Sequence, residues 1–106
     1  KSVGIIIMYA IAFDLDQDML EQTYHVPSYQ NAYGDIKKAL EAHGFTRQQG
    51  SVYFVDVSKV DAVSCVLAVM DLAKKNPWFA PSVQDIRMLR IEENNDLMPA
   101  VRKAVE

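Results

Sequence analysis

The chain has one cysteine, Cys65, in 106 residues, so no internal disulfide can staple it. With no secretory leader pattern at its start, the expected setting is a reducing cytoplasm. It also lacks a CxxC pair, an HExxH helix, a phosphate-cradling glycine loop and a Rossmann fingerprint. Structural zinc and a nucleotide cofactor are thereby left without support. The longest apolar run, Ile5 to Phe13, is half of the about 20 residues that a membrane-spanning helix needs, so no membrane span is expected. Basic residues are outnumbered, 11 against 14 acidic, for a net charge of −3. That balance argues against broad, salt-driven binding to nucleic acid, and any RNA contact must be local.

Half of the residues are hydrophobic and about a quarter are charged, the composition of one compact globular domain spanning residues 1–106. Ile5 to Phe13 is β-branched and apolar on both faces, and it ends abruptly at Asp14-Leu15-Asp16. It reads as a central strand. A polar stretch with Pro27 follows, in which Met19, Leu20 and Tyr24 can form a helical turn. From Ser28, a candidate cap, Tyr29, Ala32, Tyr33, Ile36 and Leu40 recur at helical spacing, and Gly44 lies just beyond the end.

Phe45 to Gln48 and Ser51 to Val57 read as a hairpin turning on Gln49-Gly50. Ser58 and Asp61 resemble a capping box, after which Val63, Val66, Leu67, Met70 and Ala73 mark one helical face up to Asn76-Pro77. Beyond an aromatic corner at Trp78-Phe79, Val83 to Ile91 is a half-buried strand, and Leu97 to Val105 a short closing helix. The order β-α-β-β-α-β predicts an α+β, ferredoxin-like fold: a four-stranded antiparallel sheet with two helices on one face and a short C-terminal helix. Tyr9, Ile11 or Phe54 would then occupy the face away from the helices and favour a homodimer.

In that topology strand 1 ends where strands 3 and 4 begin, so Asp14 should lie at the same end of the sheet as Gln49, Gly50, Ser51, Asp85 and Arg87. Asp14 can orient water, take a proton or bind a divalent cation, or it can simply open the loop by accepting backbone N–H bonds. Asp16, two residues on, is a second candidate cation ligand, with magnesium or manganese as the ion; helix capping is the alternative. Ser51 is a candidate for assisting proton transfer or binding phosphate, and Gln49 shares that reading; local backbone bonding competes. Arg87 suits a phosphate clamp, unless it is spent on Asp85. Tyr9 and Tyr53 are candidate platforms for an unpaired base, against core or dimer packing. His43 and His25 are too separated to build a catalytic triad.

Four separated segments carry a resemblance: Met8-Tyr9-Ala10-Ile11-Ala12-Phe13-Asp14-Leu15, Tyr29 through Tyr33, Gln49-Gly50-Ser51-Val52-Tyr53, and Asp85-Ile86-Arg87. In this order they resemble the VapD (virulence-associated protein D) family of endoribonuclease toxins, itself similar to the small CRISPR-associated ferredoxin-like nucleases. The resemblance implies a toxin of a toxin-antitoxin pair that cleaves single-stranded RNA or mRNA, with a cognate antitoxin protein as partner. It ties cleavage to the aspartate closing strand 1, here Asp14. Lys1 to Ile7 precede the resemblance and are expected to be an appended remnant, with strand 1 starting at Met8. Lys37, Lys38, Arg47, Lys74, Lys75, Arg87 and Arg90 are candidates for a basic patch. The competing expectation is a non-catalytic ferredoxin-like module that binds RNA or protein.

Overall fold

The computed structural model describes residues 7–24, 28 and 30–106. Its elements run β1 (Met8–Leu15), α1 (Gln17–Thr23), α2 (Asn31–Glu41), β2 (Thr46–Gln49), β3 (Val52–Asp56), α3 (Ala62–Lys75), α4 (Phe79–Ser82), β4 (Val83–Ile91) and α5 (Met98–Ala104). The sheet has the order β2-β3-β1-β4, with every neighbouring pair antiparallel. This is the ferredoxin-like arrangement that the element order predicts. Ile5, Ile6, His25, Pro27 and Tyr29 lie outside the described residues.

Side chains alternate along a strand, so the register sorts β1 into two faces. Ile11, Phe13 and Leu15 are buried in the core beneath the helices, and Tyr9 packs against it. Met8, Ala10, Ala12 and Asp14 look the other way. Across β1, Ala10 is in register with Phe54 on β3 and Leu89 on β4, and Ala12 with Val52 and Arg87. Of the three residues expected on the helix-free face, Phe54 is there. Tyr9 and Ile11 are not, because they sit at odd positions of the strand whose even positions carry Asp14.

The helix layer contains more than the two expected helices. Asp16 ends the strand run and caps α1, its Oδ1 accepting the Met19 amide at 3.1 Å. One turn later Leu20 is fully buried and Tyr24 nearly so. Thr23 and Ser82 then join α1 to α4, Oγ1 to Oγ at 3.0 Å, while the Asp16 amide donates to the Ser82 carbonyl at 2.7 Å. Trp78 and Phe79 fill the corner, with Tyr24 edge-on to Trp78 at 5.2 Å between ring centroids.

Helix α2 starts at Asn31 with Gln30 as its cap residue rather than Ser28. It ends at Glu41, and Gly44 follows just beyond as expected, its φ of +91° being the left-handed conformation that glycine adopts without a Cβ penalty.

Two expectations for α3 fail. Asp61 is the cap, its Oδ1 accepting the Ser64 amide at 2.7 Å, and Ser58 instead donates its own amide to Asp56. The buried face is Cys65, Ala68 and Leu72, while Val63, Val66, Leu67 and Met70 are exposed. The helix is apolar nearly all round, so periodicity alone picks out a stripe without saying which way it points.

Candidate functional site

The open face of the sheet places three charged groups together at the end where β1 finishes. Asp14 lies inside β1 rather than after it, is exposed, and is the Cα partner of Asp85 on β4. One step back along the same face, Ala12 partners Arg87. Directly opposed residues of this kind hold their Cβ atoms about 4.5–5.5 Å apart, and two like charges so placed repel unless something neutralises them. Arg87 does so: its Nε donates to both oxygens of Asp85, at 3.2 and 3.1 Å. That bond, and then the carboxylate's charge, raise the guanidinium pKa further. With Nε engaged on Asp85, the Nη groups are left for a ligand on the same face.

The β2–β3 turn closes the other side. The Phe13 amide donates to the Ser51 carbonyl at 3.1 Å, which brings Ser51 beside Asp14 as the topology predicts. Gln49, in register with Val52, is one turn residue away. Arg47, considered from sequence only as part of a dispersed patch, folds back over the turn: its Nε donates to the Gln49 carbonyl at 3.4 Å, and its Nη2 lies 3.7 Å from where a Cβ on Gly50 would be.

Other candidates are placed elsewhere. Asp16 lies past the end of β1, where the chain turns into α1. Its two oxygens take the Met19 amide and, at 3.5 Å, the Gln84 side-chain amide, so it is spent on the cap. Tyr53 is 0 % exposed, stacked on Phe13 at 6.2 Å in the core, and offers no face to a base. Tyr9 is half-buried on the same helix-covered side. Both corrections follow from strand parity: the residues flanking Tyr53, Val52 and Phe54, are the ones facing outward.

The basic residues also disperse. Lys37 pairs with Glu41 on α2, Lys75 with Asp71 on α3, and Arg90 with Glu92. His43 pairs with Asp71 at 3.1 Å, tying α2 to α3. Among the described residues Arg87 stands on the open face beside Asp14, while Arg47, in register with Tyr53, belongs to the helix side of the turn. Asp85 is expected from the topology at the same end of the sheet as Asp14, and the β1–β4 register adds that it stands directly opposite.

Among the described residues no group of three or more His, Cys, Asp or Glu side chains is arranged to hold a metal. Asp14 and Asp85 are the two carboxylates that face the same space. Oxygen donors of this kind suit magnesium or manganese, which are commonly held by one or two carboxylates with substrate phosphates completing the shell.

The sequence matches the family of CRISPR associated protein Cas2 over residues 7–98. It is 52% identical over 94 residues to Endoribonuclease VapD 2 of Riemerella anatipestifer, covering 89% of this chain and 99% of that protein. It is 53% identical over 95 residues to an Endoribonuclease VapD homolog of Helicobacter pylori, covering 90% and 97%. With Endoribonuclease VapD of Dichelobacter nodosus the identity is 40% over 97 residues, covering 92% and 100%.

Proposed function

The chain belongs to the family of CRISPR associated protein Cas2, in its VapD line, and on that premise we propose that it is an endoribonuclease cleaving single-stranded RNA at Asp14. The observation that carries the reading is an exposed strand carboxylate on an open sheet face, with an arginine-held second carboxylate in register beside it. The names of its relatives support the reaction class.

In the mechanism we propose, the Asp14 carboxylate accepts the proton of the attacking oxygen, from water or a ribose hydroxyl. That oxygen forms its bond to phosphorus, the phosphorus–oxygen bond to the leaving ribose breaks, and the leaving oxygen takes up a proton. Arg87 binds the phosphate and offsets the growing charge. Ser51 and Gln49 border the strand's path at the turn. A divalent cation, magnesium or manganese, would be held by Asp14 with Asp85 rather than with Asp16, and would supply charge neutralisation at the phosphate.

Ala10, closed over between Phe54 and Leu89, and the small Ala12 give the open face little relief. This apolar, low-relief face suits a second copy, so we place the active species as a homodimer in which Asp14 of each subunit lines a shared cleft. A toxin's role beside a cognate antitoxin, in the cytoplasm, completes the proposal; the family resemblance supports it.

The test is incubation of purified protein with end-labelled single-stranded RNA, with and without chelator. Cleavage that chelator abolishes and magnesium or manganese restores is expected. Binding without cleavage under any of these conditions would favour a non-catalytic RNA-binding module instead. Full cleavage in chelator would leave Asp14 acting without a cation.

A further inference from the structure

The tail that leaves β4 at one edge of the sheet comes back to β2 at the other. Strand β4 ends at Ile91, yet residues 94–98 and Val101 share a cavity of about 560 Å³ with Gln48 and Gln49 at the end of β2. Gln49 is in register with Val52, and Val52 with Ala12, which places it on the face that carries Asp14. Gln48 also borders a depression shared with Thr46 and Phe54. The cavity therefore opens on the same side of the sheet as the carboxylate pair.

Its lining is selective. Among the described residues no lysine or arginine borders it and Asp96 does, so it does not attract a phosphate. Leu97, Met98 and Val101 give it an apolar part, and the remainder is carboxamide. Asn95 is engaged, its Nδ2 donating to Glu93 at 2.7 Å, and Asp96 accepts the Met98 amide at 2.9 Å. The side chains of Gln48, Gln49 and Asn94 make no hydrogen bond among the described residues. Each of these carboxamides offers a donor and an acceptor in one plane. The group that suits such a lining is neutral and flat, apolar on its faces and edged with donors and acceptors, which describes an unpaired nucleobase.

We infer that Gln48 and Asn94, together with Gln49, hold a base of the RNA strand whose phosphate lies at Asp14, so that the C-terminal tail forms one wall of a base-reading subsite. This rests on the nuclease reading above. Gln49 stands two strands across and two residues back from Asp14, about 12 Å on a pleated sheet. The base held there belongs to a nucleotide flanking the cut, not to the one whose phosphate is attacked. Arg87 positions the strand by its phosphate without reading it, and the carboxamides supply the reading.

The experiment measures base preference in binding and in cutting separately. Fluorescence anisotropy of labelled oligo(A), oligo(C) and oligo(U) RNA is read in an Asp14→Asn background, which keeps the strand intact, with and without Gln48→Ala and Asn94→Ala together. Without the pair of substitutions the three affinities are expected to differ by about tenfold, within the discrimination that one good base contact gives; with it they converge. On mixed-sequence RNA, the otherwise unsubstituted chain should show a preferred base beside the cut, and the Gln48→Ala, Asn94→Ala chain should lose that preference while still cutting. Both side chains are exposed, and thermal melts check that the fold is unchanged. Equal affinities before the substitutions, or an unchanged spread after them, overturn the inference. Cutting with no flanking preference overturns it and leaves the nuclease reading standing. A spread of affinities that the substitutions abolish, in a chain that never cuts, keeps the subsite and removes the nuclease reading.

Discussion

Asp14 and Asp85 face each other across the β1–β4 ladder, in register on the open side of the sheet. Two carboxylates at this spacing are unfavourable in isolation. Their coexistence is explained by Arg87, which grips Asp85 through Nε and leaves Asp14 as the carboxylate free to work. In our account one aspartate is chemical and the other positions an arginine.

Arg87→Gln should therefore weaken RNA binding and make it less sensitive to salt. One lost phosphate contact lowers the log–log salt slope by about 0.7 for a single strand. Filter binding across a salt series measures it. An unchanged slope would mean that Arg87 makes no phosphate contact and serves only Asp85.

Tyr53→Phe separates core from binding roles. The Tyr53 hydroxyl is buried and has no hydrogen-bond partner among the described residues, a state that costs about 1–3 kcal/mol. The expected result is unchanged RNA cleavage with equal or higher thermal stability. A fall in RNA affinity at constant stability would place this ring back in the substrate path.

Tyr24 provides a pH test of the helix layer. Burial first, and then its hydrogen bond to Asp35 at 2.6 Å, push its pKa from 10 up to about 12. The neutral phenol is thus favoured in the folded state. Its contribution is complete below pH 10, the unfolded value, and is lost as pH rises towards 12. Thermal melts should show the parent losing stability between pH 10 and 12 more steeply than Tyr24→Phe. Parallel losses would remove Tyr24 from the account.

The strand order, the hairpin, the aromatic corner and the meeting of Asp14 with Ser51, Asp85 and Arg87 at one end were all legible from element order, because direction alone fixes which ends coincide. Which face a strand residue takes depends on parity, and the all-apolar run of β1 hides parity: Tyr9 and Ile11 were expected outside, and they point inward. Helix α1 was legible as a single turn around Met19, Leu20 and Tyr24, and its full extent was not, because only Leu20 and Tyr24 are buried, too few to set a period. The outer stripe of α3 is more apolar than its inner one, so hydrophobicity pointed the wrong way. Asp16 shows the same limit: spacing suggested a shared face with Asp14, and the strand's end turned it into a cap.

The central claim is that Asp14 performs the chemistry, and the most direct measurement is the single-turnover rate of RNA cleavage by Asp14→Asn beside the parent, with thermal melts on the same preparations. An amide nearly preserves the shape of the carboxylate but does not take a proton at neutral pH and is a poor cation ligand. The expected outcome is a loss of about 100-fold or more in rate with an unchanged melting temperature. A variant that melts like the parent and cuts RNA at a comparable rate would contradict the account at its central residue.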